Sequence, residues 1–123
     1  MARILVIDDH EDTAAMLVRL LRRQTHQAKA LTDPTAAISS IEEFVPDLIV
    51  LDLMMPRMDG EQVLKHIRCA QAIKHIPVVI YSGDFNNTRE QSCRRLGAQD
   101  YIAKGTVGFE QLMNRISKFL PAS

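Results

Sequence analysis

Short apolar runs punctuate this chain, and between them lie longer stretches whose apolar positions recur every three or four residues. Arg3 to Asp8, Gln27 to Leu31, Leu48 to Leu51, Pro77 to Tyr81 and Asp100 to Ala103 read as strands. Three have almost continuous apolar cores (ILVI, LIVL, VVIY), as expected of parallel strands covered on both faces. Gln27-Ala28-Lys29-Ala30-Leu31 is mixed and suits a sheet edge. Strands alternating with amphipathic helices predict a doubly wound, parallel α/β sheet.

The intervening stretches carry helix signals. Asp12 is a candidate N-cap, with Leu17, Leu20 and Leu21 on one face opposite Arg19, Arg22 and Arg23. Asp33-Pro34 starts the second helix, with Pro34 in the first turn, where its missing N–H costs nothing. The third is expected from Gly60 to about Ala72, after Asp59. The fourth follows Asp84 and runs to about Leu96, with Gly97 as a left-handed C-cap. The fifth presents Phe109, Leu112, Met113, Ile116, Phe119 and Leu120 as one stripe before Pro121 stops it.

Size and composition narrow the classes. At 123 residues, the chain fits one domain, 1–123, with one real core. Hydrophobic content of 46% and charged content of 24% argue against disorder and fibrous repeats. Formal net charge is zero and the basic residues are scattered, so no nucleic-acid footprint emerges. No apolar run reaches the roughly 18 residues of a membrane span, and the N-terminus enters a strand at once, making a cytoplasmic protein the default expectation. Cys69 and Cys93 lie in helical patterns without a partner motif and read as reduced structural thiols.

The chemistry gathers at strand ends. Asp8-Asp9 follow the first strand, Asp52 the third, Ser82 the fourth and Lys104 the fifth. In an open α/β sheet, ligands bind beyond the carboxyl ends of strands, near the point where strand order reverses. If the first and third strands are neighbours, three carboxylates share one pocket and call for a cation. Oxygen donors without His or Cys favour Mg²⁺ together with a phosphoryl group. The first turn, Asp-Asp-His-Glu-Asp, would repel an unaccompanied phosphate and lacks the glycines of a dinucleotide site. A haloacid-dehalogenase-type phosphatase would need a second Asp two residues after its nucleophile. Asp52 is followed by Leu53-Met54 and Asp8 by Asp9-His10.

Four segments in order, VIDDHED at 6–12, LDLMMPRMDG at 51–60, IYSGD at 80–84 and DYIAK at 100–104, resemble the receiver domain of two-component response regulators over essentially the whole chain. The resemblance implies a flavodoxin-like (βα)5 fold with strand order 2-1-3-4-5. It implies that Asp52 is the phosphoacceptor, that Asp9 ligates Mg²⁺ directly and Asp8 mainly through water, and that the Met54 carbonyl completes the protein ligands. Asp52 would take a phosphoryl group from a phosphohistidine, with Mg²⁺ and Lys104 offsetting charge on the transferring oxygens. The product would be a labile aspartyl phosphate that the domain also hydrolyses, so the protein is expected to be a signalling domain rather than an enzyme with a separate substrate. Ser82 and Tyr101 match the family's switch pair, which would alter the face formed by the fourth helix, fifth strand and fifth helix. The implied partners are a sensor histidine kinase or histidine phosphotransfer protein and a downstream target, with a monomer or weak dimer through the switch face.

Blander readings stand beside these. Asp12, Asp33 and Asp59 fit capping. Tyr101 also fits plain packing, and Met54, Met55 and Met58 fit either a partner-facing patch or core filler. His10 beside the acidic pair fits tuning of the metal site but reads more readily as a solvated loop histidine, and His26, His66 and His75 form no cluster; none is expected to be a ligand. Lys104 precedes Gly105 where many receivers have a cis proline, so a trans peptide is expected. The alternatives are a receiver-like scaffold that binds partners without phosphorylation, and a Mg²⁺ phosphohydrolase of small substrates.

Overall fold

The structure, a computed structural model, describes residues 1–121. Strands β1 (Arg3–Ile7), β2 (Gln27–Leu31), β3 (Leu48–Leu51), β4 (Val78–Ser82) and β5 (Asp100–Ala103) form one parallel sheet in the order β2-β1-β3-β4-β5. Helices α1 (Glu11–Arg23), α2 (Ala37–Phe44), α3 (Gly60–Cys69), α4 (Asn87–Arg95) and α5 (Phe109–Ser117) connect and follow them.

Alternation along the strands feeds two cores. Ile4, Val6, Leu48, Val50, Val79 and Ile102 face Leu17, Leu21, Leu112 and Ile116 of α1 and α5. Leu5, Ile7, Ile49, Leu51, Val78 and Ile80 face Ile41, Val63, Leu64, Ile67 and Cys93 of α2, α3 and α4. Both faces of the central strands are therefore dry, which is why their sequences read as unbroken apolar runs. Burying each of these large aliphatic side chains contributes about 1.5–3 kcal/mol.

Several helix limits differ from the sequence expectation. The N-cap of α1 is His10, and Asp12 lies in the first turn, where with Glu11 it favours the positive end of the helix dipole, as Arg22 and Arg23 do the negative end. Asn86 caps α4 through the Arg89 N–H at 2.8 Å, so the helix begins two residues later than a start after Asp84 would allow. Helix α3 stops at Cys69 because the Arg68 guanidinium gathers the carbonyls of Lys74, Ile76 and Gly97, folding the chain back toward β4. Phe109 begins α5 but stays 38% exposed, outside the buried stripe of Leu112, Met113 and Ile116.

Asp33 caps a short 3-10 turn at Pro34–Ala36 through the Thr35 N–H, so α2 itself begins at Ala37 and not at Pro34. Other signals hold as read: Asp59 caps α3 through the Glu61 N–H at 2.9 Å. Gly97 ends α4 with φ +100°, a conformation that a side chain would strain. No described helix is long and apolar enough to cross a membrane.

Candidate phosphoacceptor pocket

Sheet register brings the strand-end residues together. Ile7 pairs with Leu51, so Asp8 and Asp52 leave neighbouring strands side by side at the point where strand order reverses. Ser82 ends β4 opposite Ala103, and the Lys104 N–H bonds to the Ser82 carbonyl at 2.8 Å. Around the carboxyl edge lies an open cleft of about 560 Å³ lined by Asp9, His10, Thr13, Asp52, Met54, Gly83 and Lys104. A larger groove of about 670 Å³ between α1 and β2 is lined by Arg19, Arg22, Arg23 and Lys29 with Ala15, Val18 and Ala30, and holds no nucleophile or carboxylate.

Asp8 and Asp52 are each only 2% exposed. Lys104 Nζ donates to Asp8 Oδ2 at 2.8 Å and lies 3.6 Å from Asp52 Oδ2, with the Tyr81 ring 5.7 Å away. The peptide after Lys104 is trans, as expected, and the ammonium reaches the pocket. Burial and the neighbouring Asp8 charge push the Asp52 carboxyl above its ordinary range, against smaller opposing effects from Lys104, the Ser82 hydroxyl and the Met54 N–H. Asp52 Oδ2 and Asp9 Oδ1 are buried without a hydrogen-bond partner among the described residues.

Oxygens so placed are costly in an apolar surround and suit a hard cation. Asp8, Asp9, His10 and Asp52 can each bring a donor atom within 4.8 Å of the others. The donor set therefore fits a divalent ion. Met54 is 56% exposed beside the cleft and its N–H faces Asp52 Oδ1 at 3.4 Å, whereas Met55 is buried in the core. The methionine group thus divides between a solvent-facing member and packing.

Tyr101 lies inward, 3% exposed, with its hydroxyl donating to the Asp84 carbonyl and its ring edge-on to Phe85 at 6.3 Å. Ser82 Oγ accepts from the Asp84 N–H at 3.2 Å. One loop residue therefore touches both members of the expected pair. Burial pushes the Tyr101 hydroxyl up to about 12, keeping it a donor at neutral pH.

Three contributors were not legible as site residues. His10 has an exposed ring but turns Nδ1 toward Asp8, Asp9 and Asp52, and its adjacency to the acidic pair was the only signal. Arg89 joins Asp59 at 2.7 Å to Asp84 at 3.0 Å, tying the cap of α3 to the β4–α4 loop across a separation no local pattern reveals. Gly60 packs so closely that a Cβ would stand 2.3 Å from the Asp52 carbonyl oxygen, which only a glycine permits.

The profile of the response regulator receiver domain matches residues 4–117. The chain belongs to that family and is a phosphoacceptor receiver of two-component signalling. It is 33% identical over 112 residues to the sensory/regulatory protein RpfC of Xanthomonas campestris pv. campestris, covering 89% of this chain and 15% of that protein. It is 32% identical over 104 residues to the sensory transduction protein RegX3 of Mycobacterium tuberculosis, covering 85% and 44%. The chain thus spans less than half the length of these curated relatives. The Mn²⁺-bound crystal structure of response regulator Rcp1 superposes with a TM-score of 0.80 at 26% identity, covering 99% of this chain and 100% of that one.

Proposed function

We propose that residues 1–123 act as one receiver unit in which Asp52 is the phosphorylated residue. The observation that carries this reading is a buried carboxylate with an unpartnered oxygen, facing Lys104 and two further aspartates at the sheet's reversal point. An Asp52 oxygen forms a bond to phosphorus as the P–N bond of a phosphohistidine breaks and its electron pair returns to the imidazole. Lys104 offsets the charge on the transferring oxygens, and the Ser82 hydroxyl donates to them. Asp8, Asp9, Asp52 and the Met54 carbonyl would hold Mg²⁺, which when bound would supply further charge neutralisation.

The acyl phosphate is hydrolysed in the same pocket, whose access to water Met54 and Asp84 govern. Tyr101 already lies inward, so phosphorylation strengthens this arrangement of the β4–α4 loop and biases the α4-β5-α5 face. That face meets the downstream target or a second copy as a weak dimer. The phosphodonor is a sensor histidine kinase or histidine phosphotransfer protein, met in the cytoplasm.

Incubation with acetyl phosphate and Mg²⁺ is expected to add the mass of one phosphoryl group to intact protein. The increment should vanish in Asp52→Asn. An unmodified wild type that still binds Mg²⁺ would support a scaffold instead, and sustained turnover of an added phosphomonoester would point to a phosphohydrolase.

A further inference from the structure

We infer that His10 is an additional metal ligand in this pocket, so that the site favours a nitrogen-accepting transition-metal ion over Mg²⁺. The inference rests on the receiver reading of the pocket and concerns a residue outside its oxygen donors. His10 lies on the β1–α1 connection with its side chain 63% exposed. Solvation alone would let such a ring turn to water. Its Nδ1 instead lies 3.3 Å from Asp8 Oδ1, 3.4 Å from Asp9 Oδ1 and 3.8 Å from Asp52 Oδ2.

A hydrogen bond to Asp8 accounts for the shortest of these approaches, and the same nitrogen also stands close to the other two carboxylates. Shared coordination accounts for all three, because neighbouring donors around an octahedral ion with bonds of about 2.1 Å stand about 3 Å apart. Two of the facing oxygens, Asp9 Oδ1 and Asp52 Oδ2, are buried without hydrogen-bond partners among the described residues, and the Asp52 side chain is 1% exposed. Backbone contacts hold the position of the residue. His10 N–H donates to Asp8 Oδ1 at 2.9 Å, and its carbonyl accepts the Ala14 N–H at 3.0 Å as α1 begins.

An imidazole changes the preference of an oxygen site. Mg²⁺ is hard and retains water, whereas affinity for nitrogen-containing donor sets rises from Mn²⁺ through Co²⁺ to Ni²⁺. Calorimetric titration of untagged wild type, His10→Ala and His10→Phe with Co²⁺ and with Mg²⁺ tests this. Loss of the ligand is expected to weaken Co²⁺ about tenfold or more and to change Mg²⁺ by less than about threefold.

Electron spin-echo spectroscopy of the Mn²⁺-loaded protein provides a readout that a structural role would not move. Nitrogen modulation is expected in wild type and should disappear in His10→Ala. Metal binding without that modulation, modulation that persists in His10→Ala through another histidine, or an unchanged Co²⁺ to Mg²⁺ ratio overturns the role of His10 and leaves the receiver reading intact. Failure of every ion to bind overturns both.

Discussion

Asp52 and Asp100 are aspartates of low exposure at opposite ends of the same sheet, and their surroundings are inverted. Asp100 opens β5 with its carboxylate bound by Arg115 at 2.6 and 2.8 Å, Arg94 at 3.2 Å and the Tyr101 N–H at 2.8 Å. Burial raises its pKa, but the Arg115 and Tyr101 hydrogen bonds and the arginine charges outweigh it and hold the group below its ordinary range. Asp52, at the carboxyl end of the strands, is buried beside Asp8, which raises its pKa despite a lysine at 3.6 Å, and one of its oxygens has no hydrogen-bond partner among the described residues. One carboxylate is satisfied by the fold, joining α4 to α5 through Arg94 and Arg115. The other keeps an oxygen without a hydrogen-bond partner among the described residues, at a cost in stability.

The largest expected contrast is chemical. Asp100→Asn should still take up phosphoryl from acetyl phosphate, whereas Lys104→Ala should slow uptake about 100-fold, read by intact mass against time. Equal slowing in both variants would dissolve the distinction between the two ends.

Stability should separate them with opposite sign. Asp100→Ala leaves Arg115 and Arg94 without their acceptor and is expected to cost about 2 kcal/mol in urea unfolding at pH 7, a figure lowered because both arginines are partly exposed. In wild type, the Asp100 contribution is full above the ordinary carboxylate value of 3.8 and is lost as pH falls through the lower folded value. Removing repulsion at the other end should help: without metal, Asp52→Asn is expected to stabilise the protein by about 1 kcal/mol at pH 7. Because the folded pKa of Asp52 is raised, that advantage is complete above the folded value and shrinks as pH falls toward 3.8. Destabilisation by Asp52→Asn at pH 7 would contradict the account of its environment.

The smallest effect concerns the contact between the two ends. Tyr101→Phe removes the hydrogen bond to the Asp84 carbonyl and should cost about 1 kcal/mol or less by thermal unfolding, leaving phosphoryl uptake in place. A loss of uptake would place Tyr101 in the chemistry rather than in the switch.

How much of this was legible followed the range of the interactions. The strands and Asp8, Asp9, Asp52, Ser82 and Lys104 could be read because unbroken apolar runs end in polar residues, and the resemblance supplied the strand order that joins them. Helix limits were less legible, since Asn86 and Asp84 compete as caps and Arg68 ends α3 through carbonyls as far away as Gly97. The Arg89 bridge and the Gly60 contact depend on where the chain returns in three dimensions, which no local pattern encodes, whereas His10 was signalled only by its adjacency to Asp8 and Asp9.

Borohydride reduction of the acetyl-phosphate-treated protein, followed by peptide mapping, tests the central claim most directly, because reduction converts an aspartyl phosphate to homoserine. Homoserine is expected at position 52, dependent on added Mg²⁺. Homoserine at Asp8 or Asp9 instead, or at no position in a protein that retains its fold and binds the ion, would contradict the assignment of Asp52 as phosphoacceptor.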